Sequence, residues 1–80
     1  MNLDTPRAKA VIGNIFAAME TGAYFNREQI VKRFVDGGYC QRLAEKGAEA
    51  LIAANTDIAH FSRWVVRGTG TQTTYTFPGK

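Results

Sequence analysis

The chain has 80 residues, 45% of them hydrophobic and 21% charged, and carries a net charge of +3. A chain this short buries only about 60% of the surface it exposes when unfolded, which excludes two cores and predicts one marginally stable domain, or one supported by a partner subunit. The composition excludes a disordered chain, and no apolar run is long enough for a signal peptide or a membrane helix, so a cytoplasmic protein without membrane association is expected.

The first helix is expected over Pro6–Glu20. Ala8, Val11, Ile12, Ile15, Phe16 and Met19 recur at the spacing of one buried face. Asp4 or Thr5 caps its start, Pro6 suits the first helical position, and Thr21-Gly22 supplies a left-handed stop. Ala23-Tyr24-Phe25 then reads as a one-rung strand. Asn26 followed by Gln29 is a capping-box pattern that opens a second helix, with Phe25 stapled onto Ile30. Ile30, Val31, Phe34 and Val35 form its buried stripe, and Gly37-Gly38 ends it.

A third helix is expected from Tyr39 or Cys40 to Ala54, burying an arc of Leu43, Gly47, Ala50, Leu51 and Ala54. Gly47 costs a helix about 1 kcal/mol relative to Ala, so its presence predicts close approach of a neighbouring helix. Asn55-Thr56-Asp57 reads as a stop-and-turn cluster. Ile58 to His60 is compatible with coil, a helical turn or the lead into a strand.

From Phe61 to Phe77 the chain becomes rich in β-branched and aromatic residues, and a β-hairpin is expected with Gly68-Thr69-Gly70-Thr71 as its tip. Alternation puts Trp64 and Val66 on one face, opposite Thr73, Tyr75 and Phe77 and against the helices. Arg63, Val65 and Arg67 point the other way, and Pro78-Gly79 closes the ladder. The charge follows this division. Residues 58–80 contain Arg63, Arg67 and Lys80 and no acidic residue, so the whole excess of +3 lies there.

Several chemistries are not expected, and no enzymatic activity is assigned. Asp57, His60 and Ser62 lie too close along the chain to assemble a hydrolytic triad and read as capping and surface groups. One His and one Cys do not supply a metal site. Gly68-Thr69-Gly70 lacks the lysine and following helix of a phosphate loop, and no cofactor is implied. Cys40 has no partner for an internal disulfide, which fits a reducing compartment. Most of the nine aromatic residues are needed to fill the core, leaving Tyr24 and Tyr39 as the partly exposed ones.

A helix, a short strand, two helices separated by a glycine turn and then a hairpin form an α+β layout that resembles the winged helix-turn-helix superfamily. The stretch from Arg63 to Gly70, followed by Thr74-Tyr75-Thr76-Phe77, looks like the wing of such proteins. The resemblance implies that the third helix enters the major groove of double-stranded DNA while the wing touches the neighbouring backbone or minor groove. It points to Gln41, Arg42 and Lys46 on the helix, to Arg63, Arg67, Thr69 and Thr71 on the wing, and to Lys32 and Arg33 on the second helix as backbone contacts. A small regulator of this kind would bind as a homodimer on a two-fold site, paired through first helices or termini.

The third helix also carries Glu45 and Glu49, which are repelled by phosphates. Arg42 with Glu45 and Lys46 with Glu49 are spaced i, i+3 and read equally as ion pairs on a solvated face. That balance motivates a second expectation, a non-catalytic protein-interaction module or small inhibitor on the same scaffold, anchored by Arg63, Arg67 and exposed tyrosines.

Overall fold

The computed structural model describes residues 2–56 and 64–78. Ile58 to His60, the Asp57, His60 and Ser62 run, Phe61, Arg63, Gly79 and Lys80 lie outside the described residues. Within them the order is α1 (Pro6–Glu20), β1 (Phe25–Asn26), α2 (Arg27–Asp36), α3 (Gln41–Thr56), β2 (Val65–Arg67), a short 3₁₀ turn (Gly70–Gln72) and β3 (Thr74–Thr76). The strands form one antiparallel sheet in the order β1-β3-β2. This is a small α+β fold with the expected sequence of elements. No helix among the described residues is long and apolar enough to cross a membrane.

Local side-chain chemistry sets the helix ends. Of the two candidates for the first cap, Thr5 serves: its Oγ1 accepts the Ala8 N–H at 3.2 Å, and Pro6 follows at the first helical position. At the other end Gly22 takes φ +96°, while Gly22 and Ala23 donate back to the Met19 and Ala18 carbonyls. These bonds satisfy acceptors that a helix end otherwise leaves bare. The capping box of α2 is complete, with Gln29 N–H on Asn26 Oδ1 at 2.8 Å and Asn26 N–H on Gln29 Oε1 at 2.9 Å.

The two glycines after α2 have different reasons to be there. Gly38 is left-handed, at φ +103°, and ends the helix as Gly22 ends α1. Gly37, at φ −81°, has an ordinary backbone, but a Cβ there would lie 2.5 Å from Val11 Cγ2. Val11 is buried and β-branched, so its methyl has little freedom to turn aside. Gly37→Ala is therefore expected to destabilise the fold by about 1–3 kcal/mol through overpacking of α1 on α2, read as a lowered urea midpoint. An unchanged midpoint would mean that the α1–α2 contact yields freely.

Two helical faces differ from expectation. On α2, Ile30, Val31 and Phe34 are buried, but Val35 is 37% exposed because it sits at the edge of the narrow arc they define. On α3 the buried set is Ala44, Gly47, Ala48, Leu51 and Asn55, while Leu43 is 41% exposed and Ala54 is also exposed. The buried face is thus rotated toward the alanines. Their small side chains let α3 lie against α2, the helix with which it packs most extensively.

Asn55 and Thr56 continue α3 where a stop was expected. Asn55 Nδ2 donates to the Leu51 carbonyl at 2.8 Å and Thr56 Oγ1 to the Ile52 carbonyl at 2.7 Å, so both side chains bond back into the helix. The Asn55 carbonyl in turn accepts the Trp64 N–H at 3.1 Å, fixing the start of the hairpin against the end of α3.

The hairpin ladder is three residues long, with Val65, Val66 and Arg67 opposite Thr76, Tyr75 and Thr74. Trp64 is buried and meets the rings of Phe16 at 6.1 Å and Tyr75 at 5.6 Å, and Phe77 packs 5.3 Å from Phe16. Val66 shares a row with Tyr75 as expected, yet is 48% exposed, because the cover over β2 extends only to its Trp64 end. Thr76 is buried instead, its Oγ1 donating to the Ala23 carbonyl at 2.8 Å.

Candidate nucleic-acid interface

The exposed side of α3 presents Arg42, Lys46 and Glu49, with Gln41 and Glu45 toward α2. The expected pairs Arg42–Glu45 and Lys46–Glu49 do not form. Glu45 instead accepts a hydrogen bond from Gln41 Nε2 at 3.1 Å, one turn earlier, and Glu49 meets Arg27 of α2 at 3.5 Å. The reason is tertiary: α2 lies alongside and brings Arg27 to a carboxylate that the helix's own lysine was expected to take. Arg42 and Lys46 are left exposed and in no ion pair with any described residue.

Arg27 is the residue that the sequence reading missed. It lines two depressions, one with Gln41 and Glu45 between α2 and α3, the other with Thr71, Thr73 and Tyr75 beside the hairpin loop. It therefore stands between the third helix and the hairpin tip. The only sequence signal was its place directly after the Asn26 cap, at the first position of α2.

The other expected contacts are dispersed. Lys32 lies 3.7 Å from Asp36 in an exposed i, i+4 pair and borders the depression that holds Gln41. Arg33 faces α1, bordering a hollow with Val11 and Asn14, and its guanidinium lies 5.1 Å from the Phe25 ring. Arg67 sits over Tyr24, with Cζ 5.7 Å from the ring centroid.

At the tip, Gly68 has φ +81° and Gly70 φ +57°. A side chain on Gly68 would overlap the Gln72 carbonyl oxygen, so the loop closes only around glycine. Thr69 and Thr71 are exposed there, and the Thr69 carbonyl accepts the Gln72 N–H at 3.0 Å. Gln41, Lys32 and Thr71 thus adjoin depressions that share Arg27 and Glu28, and Lys32 also borders the α1-side hollow together with Arg33. Arg63 is outside the described residues.

Comparison of the chain with protein-family models, with curated proteins and with solved structures finds no match to any of them.

Proposed function

We propose that this protein is a winged-helix DNA-binding protein that contacts duplex DNA with α3 and with the β2–β3 wing, acting without catalysis and as a homodimer on a two-fold site. The observation that carries the reading is the freedom of Arg42 and Lys46. Both acids on the same helix are engaged elsewhere, Glu45 by Gln41 and Glu49 by Arg27, so two exposed cations are available to phosphate oxygens or base edges. Arg67 adds a planar guanidinium on the wing, which carries no acidic residue among positions 64–78.

Titration of duplex DNA at several salt concentrations tests this. Each neutralised phosphate releases counterions and adds about 0.9 to the slope of log affinity against log salt. Affinity is expected to fall steeply as salt rises; affinity indifferent to salt refutes the reading.

A second reading, a protein-interaction module, is favoured by Leu43, a large apolar side chain 41% exposed beside Arg42. It predicts that Leu43→Ser leaves DNA affinity unchanged but abolishes co-purification of a stoichiometric protein from the native host. Recovery of nucleic acid with no stoichiometric protein from the native host would dismiss it.

A further inference from the structure

We propose that Tyr24 is a positioning residue for Arg67, its ring holding the wing arginine on the outer face of the sheet in the orientation used for phosphate contact. The proposal rests on the DNA-binding reading above. The register explains how two residues so far apart in the chain meet. Tyr75 of β3 lies between Phe25 of β1 and Val66 of β2, so Tyr24, just before Phe25, and Arg67, just after Val66, lie on either side of that row and share the opposite face, where the long arginine side chain reaches diagonally across β3. There the guanidinium carbon is 5.7 Å from the ring centroid, within the range of a cation–π contact.

Arg67 needs such a support. It ends an edge strand and is followed by a loop with two positive-φ glycines, so its backbone is held on one side only. A long side chain in that position otherwise gives up its rotational freedom when it binds, which weakens the contact. Tyr24 is 49% exposed, so its ring supports the guanidinium without removing it from solvent or from a ligand. Arg67 is in no ion pair with any described residue. The adjacent Phe25 ring carries Arg33 at 5.1 Å, but that ring is buried in the core and its arginine faces α1. Of these two consecutive aromatics, Tyr24 alone serves the wing.

Duplex-DNA affinity of the wild type, Tyr24→Leu, Tyr24→Phe, Arg67→Gln and the Tyr24→Leu, Arg67→Gln double variant, measured by fluorescence anisotropy, tests the assignment. An exposed pair of this kind contributes a factor of about two to five. Tyr24→Leu is expected to weaken binding by that factor when Arg67 is present and to have no effect when it is Gln, while Tyr24→Phe keeps wild-type affinity. Arg67→Lys retains the charge but not the planar stack and leaves Tyr24 in place, so it is expected to show the same loss of about two- to fivefold independently of how the leucine variant folds. Equal weakening by Tyr24→Leu in both backgrounds, or wild-type affinity in Arg67→Lys, overturns the positioning role and leaves DNA binding standing. A wild-type protein with no salt-dependent affinity for duplex overturns both.

Discussion

Phe34→Ala is expected to lower the unfolding free energy by about 3–5 kcal/mol, the range found when a buried phenylalanine is truncated and the cavity only partly closes. Phe34 is fully buried and among the largest such side chains in the fold. Its ring meets Tyr39 edge-on at 5.8 Å, and Tyr39 in turn lies under Arg7 and within 3.3 Å of Thr5 Oγ1. Truncation therefore loosens the cap of α1 and the approach to α3 as well as the centre of the core. Whole domains are stable by only about 5–15 kcal/mol, and one of this size belongs near the lower end. Urea denaturation is expected to show a variant largely unfolded at low denaturant. A loss below about 1 kcal/mol would show that the core closes around the gap, contrary to its close packing. Phe34→Leu keeps most of the apolar volume and is expected to lose less.

The Arg42→Ala, Lys46→Ala double variant is expected to reduce duplex affinity about a hundredfold. Hydrogen bonds to charged groups contribute about 1.5–3 kcal/mol each, or a factor of ten or more apiece when one partner is removed. The slope of log affinity against log salt should flatten by about two if both groups meet phosphates. If one of them reads a base edge, the loss should instead be confined to the preferred sequence. Both side chains are exposed and unpaired among the described residues, so stability should change by less than about 0.5 kcal/mol. An unaltered affinity would remove α3 from the interface and leave the wing as the binding element.

What was legible in the sequence was the chemistry of near neighbours. Thr5, Gly22, the Asn26–Gln29 box and Gly38 act within a few residues of themselves, and the structure places the helix ends where these residues put them. The inner face of α3 was not legible in the same way. Hydropathy draws Leu43 inward, but the closeness of α2 selects Ala44 and Ala48, and the burial of Asn55 depends on a bond to its own helix. Val66 misled for a related reason, since alternation fixes the face of a strand but not how far the cover above it extends.

The polar site divided along the same line. Spacing rules along one helix suggested partners for Arg42 and Lys46, whereas the partner of Glu49 comes from another helix, 22 residues earlier at Arg27. Nor did any local pattern join Tyr24, the residue before β1, to Arg67 at the end of β2, which meet across β3.

Asn26 belongs at once to β1, paired with Thr74, and to the cap of α2, where it both gives and receives a hydrogen bond. One residue thus joins two elements, so a change at Asn26 bears on the first-turn bonds of α2 and on the pairing of β1 with Thr74 of β3 at the same time.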